Sequence, residues 1–153
     1  MMNLWLVRHG EAVPETADPS RPLSAEGARA ISAAASLLSG RLGTFDLVAA
    51  STKLRARQTA EILAAASGYP TDKIVETTAL SPGASPEAFL AFLEEQEGKG
   101  CVLCAGHLPS IASFASFLLS TGDPVNLVFG PGTACHIRLS AIRRGAGELI
   151  LLL

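Results

Sequence analysis

Four side chains suited to holding and transferring an anionic group stand just beyond short apolar runs: Arg8, His9, Arg55 and His107. Arg8-His9-Gly10 follows Leu4-Trp5-Leu6-Val7, Ser51 and Arg55 follow the run 45–50, and Gly106-His107 follows 101–105. The chain contains three histidines, and two of them belong to this set. A guanidinium offers a planar fork of donors that matches phosphate, and an imidazole can be a nucleophile or a proton donor. Taken singly, each residue has a plainer reading, as a satisfied structural histidine or a surface ion pair. Taken together, two guanidiniums and two imidazoles in one place destabilise the fold unless an anion compensates them. The chemistry points to a phosphate site.

That reading requires elements that bring the four together. Residues 4–7 read as a buried parallel strand running into a proline-rich loop over 11–23. Ser24 is positioned to cap a helix to about residue 39, stopped by Gly40, with Ala30, Ile31, Ala34, Leu37 and Leu38 as its buried stripe. Residues 45–50 form a second strand, and Ser51 caps a helix to about residue 67, stopped by Gly68. A short strand at 74–75 follows, then a helix opened by Ser85-Pro86-Glu87 and running to about residue 95. Residues 101–105 form the next strand, and Pro109 begins a helix to about residue 119. The segments 133–141 and 147–153 read as an antiparallel hairpin around Gly145-Ala-Gly147. Strands alternating with helices predict an α/β three-layer sandwich, its mostly parallel central sheet flanked by helices and ending in C-terminal antiparallel strands. In such sheets ligands collect where strand C-termini meet helix N-termini. Helix starts at Ser51 and Pro109 would add N–H groups favouring the same anion.

Composition bounds the rest. The chain has 153 residues, 48% hydrophobic, 17% charged and 5% aromatic, with a net charge of −2. This length suits one domain spanning 1–153 with its own core. The charge balance argues against a nucleic-acid partner, and no run approaches the roughly 18 apolar residues of a membrane span. Arg8 interrupts the first apolar run, which reads against a secretory signal and for a cytoplasmic chain. Three cysteines, Cys101, Cys104 and Cys135, do not make a disulfide framework. Cys101 and Cys104 fall three apart in a strand and so face opposite ways, which fits burial better than a metal or redox pair.

The motifs also carry a resemblance. Leu6-Val-Arg-His-Gly-Glu11 resembles the signature of the histidine phosphatase superfamily, which includes the cofactor-dependent phosphoglycerate mutases. Ser51-Thr-Lys-Leu-Arg-Ala-Arg-Gln-Thr59 matches its second motif and Gly106-His107 its third. Arg21-Pro-Leu-Ser24 and Gly106-His-Leu-Pro109 are most similar to the SixA-type phosphohistidine phosphatases.

The resemblance implies that His9 is the nucleophile and that Arg8, Arg55 and His107 neutralise the phosphoryl oxygens. Gly10 would let the backbone pass close to the phosphate. Arg21 and Leu108 would contact the phosphate or its carrier. Gln58 and Thr59 could support Arg55, Lys53 and Arg57 read as solvated, and His136 reads as structural. Many superfamily members place a glutamate near the segment 76–83, but Ala79 supplies no acid and Glu76 falls early. Asp18 and Glu11 are the substitutes for a general acid. Phosphohistidine loses its nitrogen more readily than an ester loses an alcohol, so a site without a dedicated acid favours the phosphoramidate. The expected function is therefore metal-independent and cofactor-free dephosphorylation of a phosphohistidine-bearing protein, with a phosphorelay component as the candidate carrier. A phosphatase of small phosphate esters is the alternative, and a non-catalytic phosphate-binding module a third.

Overall fold

A computed structural model describes residues 1–153. Six strands form one sheet in the order β3-β2-β4-β1-β5-β6. In chain order these are β1 (Met2–Arg8), β2 (Leu47–Ala50), β3 (Val75–Glu76), β4 (Cys101–Gly106), β5 (Ala134–Leu139) and β6 (Gly147–Leu152). The first four are parallel, while β5 runs antiparallel to β1 and β6 antiparallel to β5. The long helices are α1 (Ala25–Leu42), α2 (Leu54–Ala66), α3 (Pro86–Glu94) and α4 (Ser110–Leu119).

The period of two in β1 sorts its side chains between two cores. Leu4 and Leu6 face Phe89, Leu93, Ile111, Phe114 and Leu118 of α3 and α4. Trp5 and Val7 face the layer of α1 and α2, with Ile31, Leu38, Ala60 and Leu63. Cys104 belongs to the first core and Cys101 packs against the second, on opposite faces of β4 as their spacing requires. His136 is structural: its ring stacks on Trp5 at 4.5 Å, and Nε2 meets Asn3 Oδ1 at 3.0 Å.

The structure moves several expected boundaries. Helix α1 continues through Gly40 and ends at Gly43, whose φ is 67°. Burying Leu42 against the second core outweighs the cost of about 1 kcal/mol for a helical glycine. The buried stripe of α1 is Gly27, Ile31, Ala35, Leu38 and Leu42. Ile31 and Leu38 fall where expected, but Ala30 is exposed, Ala34 half-buried and Leu37 77% exposed. Small residues on both sides of α1 left its apolar face ambiguous in the sequence. Strand β2 begins at Leu47 rather than 45, and β3 shifts one residue later than expected, leaving Ile74 buried before it.

Candidate active site

The sheet order decides the site. Strands β2, β4 and β1 are parallel neighbours, so their C-terminal ends lie side by side. Arg8 is in register with Gly106 and Ala50 with Ala105. The residues that follow, His9, His107 and Ser51, are therefore delivered to one edge. Two ladder-extending bonds fix the exits: His9 N–H to the Gly106 carbonyl at 2.9 Å, and Ser51 N–H to Ala105 at 3.1 Å.

Nδ1 of His9 lies 2.7 Å from the Gly10 carbonyl. A carbonyl can only accept, so Nδ1 carries the proton and the lone pair resides on Nε2. Burial pushes His9 down to about 4, and the cations Arg55, Arg8 and Arg21 push the same way against the Gly10 bond. Burial likewise takes His107 down to about 3, helped by His9, Arg55, Lys53 and Arg21. Both imidazoles are therefore neutral at pH 7. The charges acting on them are cationic.

Arg8 is anchored by Nη1 to the Phe129 carbonyl at 2.9 Å. Gly132 N–H reaches the carbonyls of Arg8 and His9 at 3.0 and 3.2 Å, and Arg8 N–H returns to Thr133. The loop 129–133 thus clamps the end of β1 through backbone groups. Its two glycines and proline mark a turn, but a backbone acceptor such as Phe129 O has no residue-type signature.

Arg55 sits in the first turn of α2, which has no acidic residue there and no side-chain cap. Helix α4 starts beyond His107 in the same bare state, whereas α1 and α3 carry serine caps and first-turn glutamates. Uncapped N-termini leave N–H groups and positive dipole ends for an anion. Nε of Arg8, Nε of Arg55 and Nδ1 of His107 are all buried without a protein partner. Buried polar atoms ordinarily find partners.

The second motif performs a latching role. Thr59 Oγ1 accepts from Gly10 N–H at 3.1 Å and donates to the Arg55 carbonyl at 2.8 Å, joining the turn after His9 to α2. Gln58 Oε1 accepts from Leu23 N–H at 2.7 Å. Arg57 is not solvated as expected: it bonds Glu61 and Glu76 and reaches the carbonyls of Ile74 and Thr71, tying α2 to β3. Lys53 is exposed, as expected, yet its charge reaches His107. Ser51 does not cap α2, which begins at Leu54 with Lys53 as its N-cap. Its Oγ instead takes the Lys53 N–H at 3.1 Å and meets His107 Nε2 at 2.6 Å.

Two glycines fit the structure for packing reasons. A Cβ on Gly10 would press on the Ile31 and Leu23 side chains, so this glycine admits α1 and the chain leading into it. A Cβ on Gly27 would overlap the Glu11 carbonyl oxygen, which makes Gly27 the contact point between α1 and the turn after His9. The sequence carried no sign of it.

The remaining expected residues lie around this cluster. Arg21 has φ 47°, an unusual conformation for a side-chain-bearing residue, and donates Nε–H to Val13 O at 3.2 Å. Its charge lowers His9, Arg55 and His107. Asp18 accepts from the N–H and hydroxyl of Ser20, which holds its carboxyl below the usual range. Glu11 is exposed, and its carbonyl takes the N–H and hydroxyl of Ser24. Neither carboxylate appears among the charges that shift the imidazoles. Leu108 is 37% exposed and opens a groove of about 630 Å³ along α4 to Arg144, which does not include His9, Arg55 or His107. No group of three histidine, cysteine or carboxylate side chains could hold a metal ion, and no helix is long and apolar enough to cross a membrane.

The sequence pattern of the histidine phosphatase superfamily (branch 1) matches residues 4–80, about half of the chain. An uncharacterized protein of Picosynechococcus sp. is 37% identical over 134 residues, covering 82% of this chain and 79% of its own.

The chain belongs to the histidine phosphatase superfamily.

Solved structures place it more narrowly within that superfamily's fold. A protein histidine phosphatase SixA complexed with tungstate has 26% identity and a TM-score of 0.87, covering 99% of this chain and 96% of its own. A candidate phosphohistidine phosphatase SixA from Nakamurella multipartitia has 28% identity and a TM-score of 0.81, covering 99% and 95%. The fold also extends to the alpha-ribazole phosphatase of Shigella flexneri, with 19% identity, a TM-score of 0.74 and coverage of 99% and 96%. The phosphoglycerate mutase-like architecture and the superfamily's phosphatase activity follow from these matches together.

Proposed function

We propose that this chain dephosphorylates phosphohistidine on a protein through a phosphorylated His9. The observation that carries this reading is the trio of buried atoms without protein partners, Arg8 Nε, Arg55 Nε and His107 Nδ1, in a field made by cations. A phosphoryl group supplies the acceptor oxygens such donors need.

The lone pair on His9 Nε2 attacks phosphorus as the P–N bond of the donor histidine breaks. The departing imidazole nitrogen takes a proton from solvent. Water then attacks the phosphorylated His9, the P–Nε2 bond breaks, and inorganic phosphate leaves while Nε2 regains its lone pair. Arg8, Arg55 and His107 hold the equatorial oxygens, and Arg21 adds charge. Preorganised donors of this kind contribute about 10²–10³ each in rate. The Gly10 carbonyl keeps the proton on Nδ1 and the nucleophile free.

Two further features favour a protein-borne phosphoramidate. Acid catalysis typically contributes 10²–10⁴-fold to expulsion of an alcohol, and Asp18 is held by Ser20 while Glu11 is an exposed surface carboxylate. Imidazole leaves with less assistance. His9 is only half-buried at the sheet edge, and Leu108 is exposed beside His107 as a contact for a carrier's surface. The SixA relatives named above support the same substrate class.

The test compares a phosphohistidine-bearing carrier protein with a panel of sugar and glycerate phosphates, in the presence of a chelator. The carrier should turn over fastest, and an alkaline quench should trap label on wild type but not on His9→Ala. Faster turnover of an alkyl ester would replace this reading with a small-ester phosphatase. Weak activity unchanged in His9→Ala would leave a binding module.

A further inference from the structure

We infer that Ser51 is a positioning residue that sets the tautomer of His107, so that Nδ1 of His107 carries the proton offered to the phosphoryl oxygens. The inference rests on the phosphatase chemistry of the site, not on which carrier brings the phosphate.

Counting hydrogens leads there. Ser51 is fully buried, and its Oγ has two polar neighbours, the Lys53 N–H at 3.1 Å and His107 Nε2 at 2.6 Å. A hydroxyl has one proton to give and two lone pairs to receive. The Lys53 amide can only donate, so it occupies one lone pair. The hydroxyl proton then has a single acceptor within reach, His107 Nε2. A neutral imidazole that accepts at Nε2 must be protonated at Nδ1.

The opposite assignment fails twice. With Nε2–H donating to Oγ, the serine proton would be stranded in a buried site, which is costly. Nδ1 would also be a bare lone pair. That atom is buried, has no protein partner, and belongs to a ring whose centroid is 5.0 Å from that of His9. A lone pair there repels a phosphoryl oxygen, whereas an N–H attracts it. Burial and the surrounding cations independently keep the ring neutral in the free protein.

The sheet makes this arrangement rigid. Ser51 N–H bonds the Ala105 carbonyl, and His107 follows two residues later, just beyond the end of the neighbouring strand β4. The serine acts only through the histidine, and its cost is expected in the chemical step rather than in binding.

The first measurement is the ¹⁵N imidazole spectrum of the full-length wild type at pH 7, before and after adding inorganic tungstate. His107 should be the Nδ1–H tautomer in the free protein. An Nε2–H tautomer or an imidazolium there overturns the inference, whether or not any variant folds. The second measurement uses para-nitrophenyl phosphate, which probes the site whatever the natural carrier. Ser51→Ala should lose the tautomer preference and about tenfold in kcat, with KM little changed, equivalent to weakening one charge-assisted hydrogen bond. Ser51→Thr, which keeps the hydroxyl, should recover most of that loss. Wild-type kcat in folded Ser51→Ala, or no recovery in folded Ser51→Thr, overturns it as well. Failure of the phosphohistidine reading would appear only in the carrier panel, leaving both measurements intact.

Discussion

The rings of His9 and His107 meet edge to face with centroids 5.0 Å apart and planes inclined by 61°. Two imidazoliums at that separation would repel each other beside three arginines. The structure avoids this by keeping both rings neutral, at about 4 for His9 and about 3 for His107.

The sign of the resulting pH dependence is fixed. Between these values and the ordinary 6.5, the unfolded chain binds protons that the folded chain refuses, so folding stability rises with pH. Stability should be level above pH 6.5 and fall as pH drops toward 4 and then 3. Urea midpoints at pH 7.5, 6 and 5 measure this, and His9→Asn should remove part of the slope. A midpoint independent of pH over that range would contradict the neutral pair.

Arg55→Ala separates function from stability. Losing one preorganised donor should lower kcat/KM by about 10²–10³. Removing a partly desolvated cation beside Arg21 should leave the melting temperature level or raised. Tungstate or phosphate should raise the melting temperature of wild type by mass action and do so far less in the variant. Calorimetry with and without the oxyanion reads both effects.

Thr59→Val tests the latch. Valine keeps the volume but orphans the buried Gly10 N–H and removes a donor from the Arg55 carbonyl. An unsatisfied buried group costs about 1–3 kcal/mol. Chemical denaturation should show that loss, and turnover should fall because the turn after His9 is no longer tied to α2.

Two glycines in α1 should respond oppositely to alanine. Gly40→Ala adds a methyl into open space within a helix and should stabilise by about 0.5–1 kcal/mol. Gly27→Ala drives Cβ into the Glu11 carbonyl and should destabilise by about 1–3 kcal/mol or more. It should also depress activity, since the displaced backbone leads directly from His9. Equal effects at the two positions would refute the assigned contact.

The reading of Arg8, His9, Arg55 and His107 needed only residue type and position at the ends of apolar runs, because α/β connectivity brings such ends to one edge. The strand count, the antiparallel end and the Ser24 and Ser85 caps were legible for the same reason: period and capping chemistry are local. The packing contact of Gly10 was not legible, since what faces a glycine depends on the fold, and Ile31 faces it from another element. Arg57 looked solvated because Glu76 and the carbonyls that hold it lie 14 to 19 residues away. Ser51 looked like a cap because its local pattern is that of one, while its partner His107 lies 56 residues on. By itself, the sequence determined which chemistry the chain can perform, since donors and nucleophiles are properties of side chains. Only the tertiary structure decided which proton each group holds, because that depends on how the backbone turns at Gly10 and on Ser51, delivered beside His107 by the neighbouring strand.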